Sequence, residues 1–442
     1  MPRPRVLALL LAGGKGSRLQ VLTEARAKPV LPFAGVYRLI DFALTNCVHS
    51  GIADVWVIEQ FQPHALNDHL LNGRPWDLDR NTGGLRIMPP YTGNGADGGW
   101  AAGNADALYR NRRFIREFDP DLLLVLSADH VYALDYRDVL DAHVARAEAA
   151  VTMVTTEVPV EQATRFGVVQ VGADGRVTDF AYKPERPAGG TVTAEVFVYD
   201  ARLLLDRLDA LGDAKRAEAA GGGDEGDEEG DEGDEGDEGE QASLKDFGDE
   251  LLPTFVREGR AYAFPLPGYW RDLGTIDSYW EGHMDLLGAE PRLAFDDPAW
   301  PVLSARTPHP PARVSREARV DDGLLSPGCT VRGTVVESVL APGAVVEAGA
   351  TVRRAVLLEH AVVRAGAEVA YAVVDRRAEV GAGARVGDVA AAGAPLSEGH
   401  PPIAVVGGGA RVGAGETVAP GACVDAEAGA EPEATAAGRV ER

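Results

Sequence analysis

The sequence predicts an α/β protein in which a Rossmann-like, mainly parallel sheet over residues 1–290 precedes a left-handed parallel β-helix over residues 313–430. Two observations support this division. Up to about residue 200, short apolar runs alternate with segments of helical periodicity, whereas after residue 313 apolar residues recur every five or six positions. A proline-rich stretch at 291–312 lies between the two patterns and is predicted to be a linker.

The first part is predicted to consist of strands joined by helices. Buried strands are expected at apolar runs, namely 6–12, 55–58, 122–126, 151–155 and 196–199. Helices are expected at 104–117 and 136–150, the second with one buried face formed by Tyr136, Val139, Leu140, His143 and Val144. Helical crossovers between strands produce a mainly parallel sheet that is covered on both faces.

The second part carries a short repeat of small and apolar residues. The inward-facing positions are Val346, Val352, Leu357, Val363, Val369, Val374, Val380 and Val386. This period is too short for helical repeats and is typical of the hexapeptide coils of a β-helix, whose stacked coils bury a common apolar column. The period breaks near 388–402 and resumes weakly at Val412 and Val418, so we expect a loop followed by a frayed last coil.

The turn after the first strand is the clearest functional motif. It combines glycines with cations: Gly13, Gly14, Lys15, Gly16 and Arg18, followed by Lys28. Glycines let the backbone N–H groups approach a phosphate closely. The spacing does not match a dinucleotide-binding turn, and a P-loop would have a hydroxyl residue after the lysine. The motif therefore predicts binding of a nucleoside triphosphate, with a basic surface turn as the less informative alternative.

Two aspartates are candidates for metal binding. Asp129 follows the apolar run 122–126, and Asp272 precedes the tight turn at Gly274. Ligands of parallel sheets bind beyond the carboxyl ends of the strands, so residues 13–18 and 127–130 should meet at one edge. An aspartate after a strand is also a common helix cap, and both roles are open from the residues alone.

Charge and composition exclude several classes of protein. Residues 221–240 contain 12 Asp and Glu without Lys or Arg, about half of the formal charge of −25, and predict a disordered acidic insertion at about 213–243. A chain this acidic is not expected to bind nucleic acid, and no apolar run is long enough to span a membrane. The seven-residue apolar run after Arg3 and Arg5 lacks a convincing cleavage site, which favours a strand over a signal peptide. Only three cysteines are present, as expected in a reducing cytoplasm.

Eight further motifs extend the pattern of the first turn. In chain order, they are Arg26-Ala27-Lys28-Pro29, Arg38-Leu39-Ile40-Asp41-Phe42, Asn46-Cys47-Val48-His49-Ser50-Gly51-Ile52, Gly103-Asn104-Ala105-Asp106-Ala107, Ser127-Ala128-Asp129-His130, Tyr182-Lys183-Pro184, Asp246-Phe247-Gly248 and Tyr269-Trp270-Arg271-Asp272-Leu273-Gly274-Thr275. Over residues 6 to 285, the sequence resembles the ADP-glucose pyrophosphorylase branch of the sugar-nucleotide pyrophosphorylases. A C-terminal repeat region is also typical of that family.

The resemblance implies a nucleotidyltransferase that forms ADP-glucose and pyrophosphate from ATP and glucose 1-phosphate, for glycogen or another α-glucan, with Mg²⁺. It also implies a cytoplasmic homo-oligomer, a tetramer. The implied roles are catalysis by Arg18, Lys28 and Asp129; metal binding by Asp129 and Asp272; nucleotide binding by Leu11, Ala12, Gly13, Gly14, Lys15, Gly16, Gln60 and Gly103; and sugar-phosphate binding by Lys183, Asp246, Phe247 and Trp270.

The chain departs from the family pattern at several positions. Ala101-Ala102 replace an aromatic–basic pair that lies near the nucleotide, and Tyr182 stands where a glutamate usually precedes the lysine. Glu195 replaces a glycine beside the sugar, where a carboxylate can alter which hydroxyls are recognised. Val36 occupies the position of a lysine in relatives activated by sugar phosphates, which argues against activation by fructose 1,6-bisphosphate.

Three alternatives stay open. The same chemistry can act on another sugar 1-phosphate or nucleotide, as the departures suggest. A non-catalytic regulatory subunit of a hetero-oligomer would have no reason to keep Arg18, Asp129, Lys183 and Asp272. An acyltransferase that uses His360 or His400 of the β-helix as a base is disfavoured, because no acceptor pocket is evident from the sequence.

Overall fold

The computed structural model describes residues 4–14, 16–90, 101–221, 244–305, 308–391 and 399–426. The chain divides into two compact units, and each unit is discontinuous in sequence. Unit 1 comprises residues 1–15, 40–270 and 298–303, and unit 2 comprises residues 16–39, 271–297 and 304–442.

The part before the β-helix alternates strands and helices. Its strands are β1 (Val6–Ala12), β2 (Pro32–Phe33), β3 (Tyr37–Arg38), β4 (Asp54–Glu59), β5 (Gly84–Met88), β6 (Leu122–Ser127), β7 (His130–Tyr132), β8 (Val151–Glu157), β9 (Gly167–Val171), β10 (Val177–Tyr182), β11 (Thr191–Asp200), β12 (Ala261–Pro265) and β13 (Trp270–Asp272). Its α-helices are α1 (Leu39–His49), α2 (Pro63–Leu70), α3 (Asn104–Phe118), α4 (Tyr136–Val144), α5 (Ala201–Gly221), α6 (Leu251–Arg257) and α7 (Ile276–Met284). Short 3-10 helices cover Ser17–Thr23, Lys28–Val30, Leu71–Trp76 and Val160–Arg165.

Unit 1 is built on one nine-stranded mixed sheet. Its main path runs β10-β9-β11-β6-β1-β4-β5, and β8 joins it by pairing with β11 and with β12. The strands β6, β1, β4 and β5 are parallel, whereas β11 runs antiparallel to β6. The predicted mainly parallel sheet and all five predicted strands are therefore confirmed.

Helix α4 differs from the prediction in length and in one face residue. The expected helix 136–150 ends at Val144, and Val144 is 54% exposed, whereas the other four predicted face residues are buried. The chain leaves the helix after Val144. Ala150, which directly precedes β8, donates its backbone N–H to the carbonyl of Arg260, which directly precedes β12. Strand pairing therefore overrides the helix propensity of the alanines at 145–150.

Helix α5 extends into the segment predicted to be an acidic insertion. The prediction starts the insertion at residue 213, but the helix continues to Gly221, so this boundary was wrong. The ammonium of Lys215 lies 2.8 Å from the carboxylate of Glu250, and Arg216 donates to the hydroxyl of Tyr109 at 2.6 Å. These contacts and the local alanines favour the additional turns of helix. Residues 222–243, and with them the acidic repeats, lie outside the described residues.

The β-helix belongs to unit 2 and consists of two all-parallel sheets. Its strands are β14 (Arg313–Val314), β15 (Arg319–Leu325), β16 (Thr330–Val331), β17 (Thr334–Leu340), β18 (Val345–Val346), β19 (Thr351–Leu357), β20 (Val362–Val363), β21 (Glu368–Val374), β22 (Glu379–Val380), β23 (Arg385–Gly387), β24 (Ala404–Val406), β25 (Arg411–Val412), β26 (Thr417–Val418) and β27 (Cys423–Val424). All eight predicted inward positions are at most 1% exposed, which confirms the buried column.

The repeat is interrupted between β23 and β24, and residues 392–398 of this interruption lie outside the described residues. Strand β23 pairs with the beginning of β21, and β24 pairs with its end, so the strands on either side of the interruption adjoin the same strand. The expected fraying of the last coil was wrong, because β25, β26 and β27 all pair with preceding strands and Val412 and Val418 are buried.

The division into units differs from the predicted boundaries at 290 and 313. Residues 16–39 and 271–297 group with the β-helix rather than with the sheet. Arg26 forms an ion pair with Asp375 at 2.5 Å, and the indole of Trp280 donates to the carbonyl of Arg354 at 2.8 Å. From the predicted linker, Trp300 donates to Asn46 of α1 at 3.0 Å, which holds residues 298–303 on unit 1.

Two predictions from composition can be compared with the described residues. Among the helices of the described segments, none combines the length and the apolar content that a membrane span requires. Cys47 and Cys329 are buried, Cys423 is exposed, and none of the three forms a disulfide.

Candidate active site

The ends of two neighbouring parallel strands form the edge at which the candidate site lies. Leu11 of β1 is opposite Ser127 of β6, and the N–H of Ala128 donates to the carbonyl of Leu11 at 3.3 Å. Each strand then continues into a predicted site motif, with Gly13 and Gly14 after β1 and Asp129 after β6. The expected convergence at the carboxyl ends of the strands is confirmed for these residues.

An open cleft in unit 1 borders this edge. Six of the predicted site residues line it: Leu11, Gly13, Gly14, Asp129, Asp246 and Phe247. The same cleft is lined by Arg165, Phe166, Tyr182, Thr193, Glu195 and Phe197, which the prediction did not assign to the site. Tyr182 and Glu195 were noted in the sequence as departures from the family pattern. Arg165 and Phe166 are not part of any motif in the sequence analysis, so nothing in the sequence indicated them.

Gln60 and Gly103 lie beside residues of the cleft. A methyl group at Gly13 would lie 2.8 Å from Oε1 of Gln60, so the glycine permits this close approach. The amide of Gln60 donates to the carbonyl of Ala101 at 3.2 Å, which ties Gln60 to the segment that lacks the family's aromatic residue. Gly103 immediately precedes α3, and the N–H of Asn104, the first residue of the helix, donates to Asp246 at 3.1 Å. Ala12 is buried in β1, and Lys15 lies outside the described residues.

Lys183 is held by a tyrosine and an aspartate. Its ammonium donates to the hydroxyl of Tyr182 at 2.6 Å, and that hydroxyl donates to Oδ2 of Asp246 at 2.6 Å. Burial, together with the neighbouring Asp246, raises the pKa of Tyr182 well above its ordinary value, so the phenol keeps its proton. Tyr182 thus connects two predicted sugar-phosphate ligands, an arrangement that sequence reasoning missed.

Trp270 does not line the cleft but packs against Phe166, which does. Its ring lies edge-on to Phe166 at a centroid distance of 5.4 Å and to His130 at 5.1 Å. The imidazole of His130 is only 3% exposed, and its Nδ1 lies 3.2 Å from the carbonyl oxygen of Ala194. The role predicted for Trp270, a wall near the sugar, stays a prediction.

Asp129 lines the cleft and has polar neighbours. The hydroxyl of Ser127 donates to its Oδ1, and Nε2 of His130 lies 3.6 Å from the same oxygen. Oε2 of Glu195 lies 4.0 Å from Nε2 of His130. His130 is part of a motif quoted from the sequence, but its contribution to this group of side chains was not predicted.

The predicted catalytic residues Arg18 and Lys28 lie in unit 2, together with Asp272, the second predicted metal ligand. The ammonium of Lys28 lies 3.1 Å from Oδ1 of Asp272, and both side chains are buried. A methyl group at Gly274 would lie 2.8 Å from Asp272 and 3.2 Å from Nη2 of Arg18, so this glycine leaves room for both side chains. Arg18 is exposed, and Gly16 precedes it in a left-handed conformation with φ of 65°.

The two histidines considered for acyl transfer, His360 and His400, contact neighbouring side chains away from the cleft. His400 lies 3.4 Å from Glu281, whose hydrogen bond raises the pKa of the imidazole. His360 packs against His309 at a centroid distance of 5.8 Å, and burial lowers its pKa. Neither histidine lines the cleft of unit 1.

Comparison with known proteins agrees with this architecture. A family model described as nucleotidyl transferase matches residues 7–224 and 234–288, and one described as GlmU-like, C-terminal hexapeptide matches residues 310–394. The glucose-1-phosphate adenylyltransferase of Pseudothermotoga lettingae is 40% identical over 349 residues, which are 79% of this chain and 76% of the relative. The enzymes of the same name from Thermotoga neapolitana and Geobacillus stearothermophilus are 41% and 39% identical, again over 79% of this chain and over 76% and 84% of the relatives. With the sheet, the glycine-rich turn and the hexapeptide coils all matched, the chain belongs to the glucose-1-phosphate adenylyltransferase family of nucleotidyl transferases.

Proposed function

We propose that this chain transfers the adenylyl group of ATP to glucose 1-phosphate. A phosphate oxygen of glucose 1-phosphate attacks the α-phosphorus of ATP, the bond from that phosphorus to the oxygen bridging to the β-phosphate breaks, and pyrophosphate leaves. The observation that carries this proposal is that the glycine turn, Asp129 and the Tyr182–Asp246 pair all border one cleft. The type of reaction, nucleotidyl transfer, is taken from the family to which the chain belongs.

The predicted site residues have separate proposed roles. The backbone N–H groups at Gly13 and Gly14 bind phosphate oxygens of ATP, and Gln60 and Gly103 lie near the base and ribose. Lys183 binds the phosphate of the incoming sugar through a charge-assisted contact, while Asp246, Phe247 and Trp270 contact the sugar. Arg18 and Lys28 are proposed to stabilise the negative charge that develops on the leaving pyrophosphate.

A divalent metal is typical of the family, and Mg²⁺ is the ion we propose. Carboxylate oxygens such as those of Asp129 are the donors that such a hard cation prefers. The side chain is 24% accessible and borders the cleft, so an ion can reach it. When bound, Mg²⁺ neutralises charge on the phosphate oxygens of the triphosphate. The predicted role of Asp272 as a metal ligand is kept as a separate proposal, and its ion pair with Lys28 is the contact that a metal ion would have to share or replace.

Asp129→Asn tests whether the chain is catalytic through this carboxylate. We expect turnover to fall by roughly 10²-fold or more, as it does when a group that stabilises the transition state is removed. Pyrophosphate release with saturating ATP, glucose 1-phosphate and Mg²⁺ measures the effect. Asp179→Asn changes an exposed carboxylate of the same unit outside the lining and serves as the control. Near-normal turnover of Asp129→Asn would refute the assignment.

The sugar and the nucleotide need a separate test, because Tyr182 and Glu195 both line the cleft. We expect ATP and glucose 1-phosphate to give the highest kcat/KM in a panel of four nucleoside triphosphates and several sugar 1-phosphates. A preference for another sugar would support the alternative in which the same chemistry acts on a different substrate. Absence of pyrophosphate release with every pair would support a regulatory subunit. The predicted homo-oligomer, a tetramer, is tested independently by light scattering.

A further inference from the structure

We propose that His130 and Glu195 join Asp129 as ligands of one divalent cation, so that the protein itself supplies three donors, two carboxylates and one imidazole. This inference rests on the proposed function in one respect, since it takes Asp129 as the metal-binding carboxylate of the cleft. It goes beyond that function by adding His130 and Glu195 as ligands of the ion. It also predicts that the site binds other divalent ions more tightly than Mg²⁺.

The three side chains are close enough to bind a single ion. One potential ligand atom from each of Asp129, His130 and Glu195 lies within 4.8 Å of the other two. Nε2 of His130 lies 3.6 Å from Oδ1 of Asp129 and 4.0 Å from Oε2 of Glu195. Metal–ligand bonds of about 2.0–2.2 Å separate two ligands of the same ion by roughly 3–4.4 Å, so only small side-chain movements are needed.

The hydrogen bond of His130 to the backbone is one that metal-binding histidines make. A carbonyl oxygen can only accept a hydrogen bond, so the 3.2 Å contact with Ala194 assigns a ring hydrogen to Nδ1. Nε2 faces the two carboxylates, and a metal ion bound there would take the place of a proton on Nε2. Histidines that bind metals in proteins commonly donate their other N–H to a backbone carbonyl in this way. The ring is 97% buried and packs against Trp270, which limits its rotation.

Glu195 lies in an irregular part of strand β11. The register between β11 and β8 shifts between Thr193 and Phe197, which leaves a bulge at 194–196. Within this bulge, Glu195 has φ of 54°, a left-handed conformation that glycine adopts without steric cost. Bulges redirect side chains near functional sites. The same conformation makes Glu195→Gly a substitution that the backbone tolerates, and therefore a useful variant.

The donor set predicts which ions the site prefers. Mg²⁺ favours oxygen ligands and usually keeps several waters, whereas imidazole nitrogen suits later divalent ions of the first transition series. With three protein ligands, an ion should bind before any nucleotide is present. We therefore expect Co²⁺ to bind more tightly than Mn²⁺, and Mn²⁺ more tightly than Mg²⁺.

Direct binding of Mn²⁺ to the full-length protein tests the proposal without relying on activity. The electron paramagnetic resonance signal of free Mn²⁺ is followed during titration in the absence of nucleotide. We expect one bound Mn²⁺ per chain, at least tenfold weaker binding by Glu195→Gln and by Glu195→Gly, and release of Mn²⁺ by less Co²⁺ than Mg²⁺. Glu161→Gln removes an exposed glutamate of unit 1 outside the cleft and should leave the affinity unchanged.

The outcomes separate this inference from the proposed function. The three-ligand site is overturned if the unmodified protein does not bind Mn²⁺. It is also overturned if both Glu195 variants bind Mn²⁺ as tightly as the unmodified protein does. If Asp129→Asn still loses turnover in that case, the proposed function stands without the additional ligands. If Asp129→Asn keeps turnover, the proposed role of Asp129 is wrong even where Mn²⁺ binds.

Discussion

At the scale of single residues, the contacts of Lys183 show how its charge is positioned. The side chain is half exposed, yet its ammonium is fixed by Tyr182, which in turn bonds to Asp246. In this chain the hydroxyl of Tyr182 stands where the family usually has a carboxylate. The phenol orients the ammonium through an uncharged hydroxyl, while Oδ2 of Asp246 lies 3.8 Å from the same ammonium, within ion-pair distance.

Lys183→Ala should mainly weaken binding of the sugar phosphate. A charge-assisted hydrogen bond is worth about 1.5–3 kcal/mol, which corresponds to a rise in KM of roughly 10- to 150-fold. Because this contact exists before the reaction, the maximal rate and the KM for ATP should change far less. Arg18→Ala should show the reverse pattern if its charge meets the departing pyrophosphate. Steady-state kinetics with each substrate varied in turn would distinguish them, and a Lys183 variant defective mainly in ATP use would reverse the two assignments.

Tyr182→Phe tests the positioning role directly. The substitution removes both hydrogen bonds of the hydroxyl, to Lys183 and to Asp246. Loss of the bond to Lys183, worth about 0.5–1.5 kcal/mol, should raise the KM for glucose 1-phosphate roughly 2- to 13-fold and leave kcat nearly constant. Tyr262→Phe is a matched control, because Tyr262 also donates to a carboxylate in unit 1, that of Glu148, outside the cleft. A fall in kcat with unchanged KM would show that Tyr182 acts in the transition state instead.

At the scale of elements, the coils of the β-helix depend on one another for burial. Val352, Val369 and Val386 stand in register on β19, β21 and β23, and each is at most 1% exposed. No coil could bury its valine alone, since the neighbouring coils form the walls of the column. Each such valine should therefore matter more to stability than any valine on the surface of the same domain.

Val369→Ala should destabilise unit 2 by about 1–3 kcal/mol, because it removes two buried methyl groups and leaves a cavity. Val314→Ala, at a position that is 48% exposed in β14, should change stability by less than about 0.5 kcal/mol. Urea unfolding monitored by circular dichroism would measure both variants. Equal effects of the two substitutions would contradict the proposed burial of the column.

At the scale of the whole molecule, each unit contains a buried histidine that resists protonation. Burial lowers the pKa of His143 in unit 1 and of His283 in unit 2 from 6.5 to about 4. His143 contacts the hydroxyl of Thr152 at 2.9 Å, and His283 contacts the carbonyl of Tyr279 at 2.9 Å. Between pH 6.5 and 4, the unfolded chain binds protons that the folded chain does not, so stability is present above pH 6.5 and is lost as the pH falls.

His283→Asn should reduce this acid sensitivity. For a pKa that moves from 6.5 to about 4, acidification from pH 7 to 5 costs roughly 2 kcal/mol per histidine. The variant should be less stable at pH 7 but should lose less stability on acidification than the unmodified protein. His64→Asn is the control, because the side chain of His64 is 93% exposed. Urea midpoints at pH 7, 6 and 5 would test this, and parallel curves for all three proteins would refute it.

Much of the site was predictable because its residues follow strands directly. The run at 6–12 specifies a strand by its own composition, and a parallel neighbour then brings Gly13 and Asp129 to the same edge. The helix end at Val144 and the boundary at residue 213 were not predictable in this way. There, pairing with Arg260 and contact with Glu250 compete with local propensity, and both partners are distant in sequence.

The sequence by itself determined the strands, the hexapeptide column, the glycine-rich turn and the chemical types of the site residues, because each depends on neighbours a few positions away. Only the tertiary structure decided which charged and polar groups meet. Lys28 pairs with Asp272 across 244 residues, and the approach of Glu195 to His130 depends on a bulge that no sequence pattern indicated. Such pairings are set by strand order, register and backbone conformation, which arise only when the whole chain packs.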